Sequence, residues 1–216
     1  MKILHKCKNI FIDFDGVIVD SNKFKEEAIE KSILKLFGNN KKSKEAVNYF
    51  NANAGISRKE KLSKFFDEKD VLEIMEIYSK ECDNFFSHAT PTEGLVSFLE
   101  YIKLRKTHIK IYILSGGEKN EINLFLKQNN LLKFFEDILS SEKSKLDHMK
   151  EKKVSGNDIF IGDSKNDLKT SLQIRINFIL FEGYKSLESF PSKTFIKKNN
   201  LIRTENFRTF LEKFMK

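Results

Sequence analysis

Asp13 and Asp15 stand two residues apart in the run FIDFDGVIVDS, directly before Gly16. Two buried carboxylates at one strand tip repel each other unless a cation offsets them. Hard oxygen ligands of this kind suit Mg²⁺. The plain structural alternative is an Asp-Gly turn with a capping aspartate. A second fragment, Gly162-Asp163-Ser164-Lys165-Asn166-Asp167, repeats the pattern of glycine, acid, and a further acid four residues on. Its alternative is a helix N-cap at Asp163 or Ser164. In Ser115-Gly116-Gly117 a hydroxyl and nearby backbone N–H groups precede a helix, which suits a phosphate; the same triplet also makes an ordinary turn. Between these fragments, SSEKSKLD offers Lys143 or Lys145 as a positive charge.

The elements around these residues follow a rhythm. Asn9–Phe14 is a short apolar run that reads as a buried strand ending at the acids. Segments 23–37, 43–52, 58–66 and 68–88 carry apolar residues at three- and four-residue spacings and read as helices. After Pro91 and Gly94 the pattern alternates. Helix 93–106 leads to strand Lys110–Leu114, helix 118–128 to strand Phe135–Leu139, helix 144–153 to strand Ile159–Ile161, and helix 166–174 to strand Asn177–Phe181. A short extended piece, Thr194–Lys197, precedes a helix over 205–215. Strands alternating with helices predict an α/β fold with a parallel sheet and helices on both faces. The all-helical stretch after the first strand predicts a second, smaller domain. Ligands of open α/β sheets bind at the carboxyl ends of strands, where Asp13, Asp15, Ser115 and Asp163 all fall.

Composition narrows the class. The chain has 216 residues, 40% of them hydrophobic, which excludes a disordered polymer. Phe is abundant at 21, with no Trp and 2 Pro, so the core is expected to be Phe, Ile and Leu. No apolar run reaches the ~20 residues of a membrane span. Lys6, Lys8 and Asp13 break up the N-terminal apolar stretch, a poor pattern for a signal peptide. Cys7 and Cys82 alone make neither a disulfide framework nor a four-ligand metal site, and a cytoplasmic location is expected. The net charge of +8 invites a nucleic-acid reading. However, residues 22–88 hold 13 basic and 12 acidic side chains, and residues 185–216 hold 8 against 3. With no purely basic block, a solvated Lys-rich surface is the better reading.

Order and spacing join the fragments. Asp-x-Asp-Gly-Val, then Ser, then Lys, then Gly-Asp-Ser-x-x-Asp resembles the four motifs of the haloacid dehalogenase superfamily of phosphohydrolases. The resemblance covers nearly the whole chain. The helical insertion is similar to the cap of the phosphoglycolate phosphatase and β-phosphoglucomutase branch. It implies a Rossmann-like core of residues 1–21 and 89–216 with an α-helical cap inserted at 22–88. It further implies that Asp13 is the nucleophile and forms an aspartyl-phosphate. Asp15 protonates the leaving oxygen and later takes a proton from water. Mg²⁺ sits on Asp13, the backbone carbonyl of Asp15, and Asp163, with Asp167 orienting that shell. Ser115 and the lysine hold the phosphoryl oxygens, beside Gly16 and Gly116. Lys145 is preferred because it opens helix 144–153; Lys143 is the alternative, since neither precedes the proline common in the family. The dehalogenase branch is disfavoured, having no use for Asp15.

The cap contains Gly55-Ile56-Ser57-Arg58, followed by Lys59 and Lys61, similar to a Gly-Val-Ser-Arg loop of β-phosphoglucomutases. There the arginine grips the substrate's second phosphate, so Arg58 implies a substrate with an additional anionic group. Its alternative is a helix capped by Ser57 with ordinary surface charge. Mutases of that branch carry a histidine at the position of Lys25. His5, His88, His108 and His148 lie away from the motifs in sequence. The expectation is therefore a Mg²⁺-dependent phosphatase of a small phosphorylated metabolite, monomeric or homodimeric, binding neither nucleic acid nor membrane. A sugar phosphomutase and a non-catalytic binder of phosphorylated ligands are the alternatives. Asp20 and Ser21 are expected to fix the loop after the first motif.

Overall fold

The computed structural model describes residues 4–53, 56–184, 192, 194 and 201–214. Its centre is a parallel sheet of β1 (Asn9–Ile12), β2 (Lys110–Leu114), β3 (Asp137–Leu139), β4 (Ile159–Gly162), β5 (Asn177–Phe181) and β6 (Ile202–Thr204). The strand order is β3-β2-β1-β4-β5-β6, every neighbouring pair parallel. Chain order runs outward from β1 to β3, then returns to β4 on β1's other side. The crevice between β1 and β4 is thus the switch point where open α/β sheets take ligands.

The strands alternate because successive side chains face opposite ways. Ile10, Ile12, Ile111, Ile113, Ile159 and Ile161 enter one core cluster, while Phe11, Tyr112, Phe160 and Phe178 enter another. Helices cover both faces. On the isoleucine side lie α5 (Leu95–Arg105), α6 (Lys119–Gln128) and α9 (Phe207–Phe214); on the aromatic side lie α7 (Lys145–Glu151) and α8 (Lys165–Ile174). Between β1 and α5 the chain forms α1 (Asn22–Phe37), α2 (Lys41–Ala52), α3 (Arg58–Leu62) and α4 (Glu68–Phe86), which pack on one another. Phe86 of α4 meets Phe14 after β1 at 5.4 Å and Phe125 of α6 at 6.4 Å between ring centroids. Such aromatic pairs add ~0.5–1.5 kcal/mol each beyond burial.

The two connections between these helices and the sheet lie side by side. Val19 bridges Pro91, the Thr92 N–H bonds the Ile18 carbonyl at 3.0 Å, and the Thr92 hydroxyl bonds the Val17 carbonyl at 2.5 Å.

Several expected bounds shift. The first strand stops at Ile12 instead of Phe14, because the Phe14 carbonyl accepts from Ile18 and Val19 and turns the chain. The helix expected over 58–66 ends at Leu62. The sixth strand was not expected at Ile202–Thr204. The extended piece expected over Thr194–Lys197 lies, apart from Thr194, outside the described residues, as does Gly55. No helix among the described residues is long and apolar enough to cross a membrane.

Candidate active site

Strands β1 and β4 deliver the acids. After β1 the Asp13 N–H still bonds the Ile161 carbonyl at 2.9 Å, so Asp13 leaves the sheet beside β4. The carboxylates of Asp13, Asp163 and Asp167 are buried, with one ligand oxygen from each lying within 4.8 Å of the others. Among the described residues one cation pairs with two of them. Lys145, at the start of α7, places Nζ 2.7 Å from Asp13 and 2.6 Å from Asp167. Lys143 instead points outward and pairs with Glu151 at 2.6 Å. Burial first, and Asp167 next, push the Asp13 carboxyl well above the usual range against the pull of Lys145. Burial and then Asp167 likewise raise Asp163 to about 8. Burial opposes the Lys145 charge, yet Asp13 and Asp167 hold its pKa above that of a free lysine.

The residues around the acids fix them. Asp167 shares a capping box with Ser164, whose hydroxyl donates to Asp167 at 2.7 Å and accepts from the Asp167 N–H at 3.2 Å. Ser164 thus caps the helix while Asp167, its partner in the cap, also belongs to the acidic cluster. Asn22 donates to Asp163 at 2.7 Å and to the Tyr184 carbonyl at 2.8 Å. Gly16 has φ +75°, and a Cβ there would overlap Asn22 and Asp163. A side chain is thus excluded both by backbone angle and by space.

Asp15 has a different setting. Its carboxylate accepts from the Ser21 hydroxyl at 2.6 Å and from Lys25 Nζ at 2.6 Å. Burial alone would raise its pKa, but Lys25, followed by the Ser21 bond, lowers it below the usual value. Ser115 is buried and its Oγ accepts from the Gly117 N–H at 2.9 Å. Gly116 and Gly117, rather than the Ser115 side chain, form the cavity wall at this turn.

The helices of 22–86 close the other side of a cavity of about 80 Å³. They contribute Lys25, Phe50, Arg58, Lys61 and Tyr78 to its lining, opposite Asp13, Asp15, Lys145 and Asp163. Arg58 is buried and forms a two-armed ion pair with Glu121 of α6, its guanidinium 4.6 Å from the Tyr78 ring. Ser57 also caps α3, accepting from the Glu60 N–H at 3.3 Å. The Ser57 cap is present, but Arg58 is no surface charge: it lines the cavity and is already paired with Glu121.

Asp13, Asp15, Arg58, Gly116, Lys145 and Asp163 thus line one cavity, and Lys143 and Asp20 do not. Glu121, Asn22 and Tyr78 were not singled out from sequence, because their partners are distant; Arg58 and Glu121 are 63 residues apart. His148, expected to lie away from the motifs, stands three residues after Lys145 on α7. It is buried on α7, and its Nε2 donates to the Ser140 carbonyl at 2.9 Å, fixing the loop before Lys145. Asp20 is exposed, whereas Ser21 does hold the loop through Asp15.

The arrangement can bind a divalent cation between carboxylates and present one carboxylate to an electrophile. Comparisons with known proteins bear on it. A family model described as haloacid dehalogenase-like hydrolase matches residues 10–181. No curated protein matches the sequence. Among solved structures, a hydrolase from Pseudomonas syringae is similar at TM-score 0.73 and 14% identity, covering 95% of this chain and 96% of that one. A β-phosphoglucomutase from Clostridium difficile is similar at TM-score 0.70 and 22% identity, covering 97% and 94%. A predicted phosphoglycolate phosphatase from Haemophilus somnus is similar at TM-score 0.70 and 11% identity, covering 95% and 97%. At these identities the likenesses show the shared fold.

Proposed function

The chain belongs to the haloacid dehalogenase-like hydrolases, and from that premise we propose that it is a Mg²⁺-dependent phosphatase of a small phosphorylated metabolite. The observation that carries the reading is the cluster of Asp13, Asp163 and Asp167, three buried carboxylates around one lysine. Their charge is only partly offset, and burial together with the neighbouring carboxylates raises the pKa of Asp13 and of Asp163. A divalent cation meets it with oxygen ligands. Asp13, Asp163 and the Asp15 carbonyl would hold the ion, and Asp167, bonded by Ser164 and Lys145, would keep them in place. Bound there, Mg²⁺ neutralises negative charge on the phosphoryl group.

The chain's own groups then divide the work. An Asp13 oxygen forms a bond to phosphorus as the bond from phosphorus to the leaving oxygen breaks. Asp15 gives that oxygen a proton, a role that requires its pairing with Lys25, which keeps it ionised in this arrangement, to be broken when the leaving group arrives. Asp15 next takes a proton from water, which attacks the phosphorus of the aspartyl-phosphate and releases phosphate and free Asp13. Lys145 and the turn Ser115–Gly117, with Gly16 nearby, hold phosphoryl oxygens; positioning of this kind supplies most of the acceleration in phosphoryl transfer. Residues 22–88 act as a cap over a core of 1–21 and 89–216. The cavity of about 80 Å³ is open to solvent on one side and is roughly half the ~150 Å³ that accommodates benzene, and movement of the cap would widen it for a larger substrate.

The phosphomutase alternative is not favoured, since Lys25 occupies the histidine position and is bound to Asp15. The buried free thiols of Cys7 and Cys82 accord with a reducing cytoplasm. The test is phosphate release from an aryl phosphate with Mg²⁺, abolished by EDTA. Asp13→Asn should be inactive with an unchanged fold. Full activity in that variant would overturn the nucleophile assignment.

A further inference from the structure

The cationic side chains of the cavity differ in what they already hold. Lys145 is taken by Asp13 and Asp167, and Lys25 by Asp15. Arg58 spends both arms of its fork on Glu121. Releasing Arg58 to a ligand would strand Glu121 in a buried position, with only Lys25 at 4.0 Å to compensate. Lys61 is different. It is 6% exposed, lines the cavity, and donates once, to the Phe50 carbonyl at 3.2 Å, with Nζ 3.5 Å from the Phe50 ring centroid. Among the described residues no carboxylate pairs with it. An ammonium has three donors, so two remain for a ligand.

We propose that Lys61, not Arg58, receives the second anionic group of the substrate, a phosphomonoester that also carries a carboxylate or another phosphate. This rests on the phosphatase reading of the same cavity. A buried cation without a counter-charge is costly unless it loses its proton or something anionic arrives, and Lys61 lines the cavity that holds Asp13. The surroundings agree. Burial, then Arg58, then Lys25 pull the Lys61 pKa down to about 7, with Asp15 opposing. An anion placed there reverses that balance. The Arg58–Glu121 pair supplies a rigid wall that holds α3, and with it Lys61, against α6.

The experiment compares Lys61→Met, Lys61→Gln and Lys61→Arg with the unaltered protein on three Mg²⁺-supported substrates. These are p-nitrophenyl phosphate, 2-phosphoglycolate with its carboxylate, and a hexose bisphosphate with its second phosphate. The ratio of kcat/KM for the better bis-anionic substrate to that for the aryl phosphate should fall at least tenfold in Lys61→Met and Lys61→Gln, through KM. Lys61→Arg should keep it within about threefold. The two bis-anionic substrates separate carboxylate from phosphate as the second group. A parallel titration uses inactive Asp13→Asn protein with 2-phosphoglycolate, the bisphosphate and inorganic phosphate. There Lys61→Met should raise Kd for one bis-anionic ligand at least tenfold more than for phosphate. If no substrate is hydrolysed, the phosphatase reading falls while the titration still decides the role of Lys61. An equal effect of Lys61→Met on bis-anionic and mono-anionic ligands overturns the proposal.

Discussion

At Gly16 one missing Cβ lets Asn22 reach Asp163, so a single-atom change tests the whole acidic corner. Gly16→Ala should lower unfolding free energy by about 1–3 kcal/mol in urea titrations, the cost of a strained backbone angle, and should displace Asn22. Mg²⁺ should raise the melting temperature of the unaltered protein and Asp163→Asn should remove that rise; a rise retained in the variant would place the ion elsewhere. Lys61 makes a pH prediction. Its folded pKa of about 7 lies below that of a free lysine. Between about pH 7 and pH 10 the unfolded chain therefore binds the proton that the folded chain has released. The penalty of the buried cation is complete below pH 7 and fades as pH rises through that window, by at most ~1.4 kcal/mol per pH unit. Lys61→Met should thus exceed the unaltered protein in stability most below pH 7, with the gap closing above it. A gap independent of pH in thermal melts would count against this account. Asp13, Asp15 and Asp163 were legible in sequence because they follow the ends of β1 and β4, and Asp167 because it stands four residues after Asp163. Lys145 was separable from Lys143 because only one begins a helix. Lys61 looked like one more lysine in a Lys-rich chain, since burial is a property of the fold.

Between elements, the contact that matters joins α3 to α6 through Arg58 and Glu121. Removing one partner of a buried ion pair costs about 3–5 kcal/mol, because the other is left charged and dry. Arg58→Met should approach the lower end, since Lys25 stands 4.0 Å from Glu121. The double change Arg58→Met with Glu121→Met should recover most of the loss. Additive losses in that double-mutant cycle would mean that the two side chains do not support each other. At this scale the sequence told much. β2 and β5 have their expected bounds, because their apolar runs are clean and flanked by turn signals. β6 escaped notice because its three residues, Ile202, Arg203 and Thr204, are too few to show alternation. Helix α3 is shorter than its periodicity because the chain turns again at Phe65, whose N–H bonds the Leu62 carbonyl.

For the whole molecule, the arrangement of helices 22–86 on the sheet has a size that solution scattering can read. A compact chain of this length has a radius of gyration of about 17 Å. Loss of the Arg58–Glu121 contact should shift the molecule toward open forms, so Arg58→Met should show a larger radius than the unaltered protein. Equal radii would mean that other contacts, such as the Phe14–Phe86–Phe125 cluster, keep it shut. The paired connections at Val17–Val19 and Pro91–Thr92 carry a separate consequence. The chain leaves the sheet and comes back at nearly the same point, so residues 22–88 form a detour whose ends almost touch. A detour of that kind can be lengthened, exchanged or excised with little disturbance to the path of the remaining chain. A short glycine-rich bridge from Ser21 to Ala89 should give a smaller folded protein, and a foreign helical segment spliced at the same two points should redirect substrate choice while leaving the acids where they are.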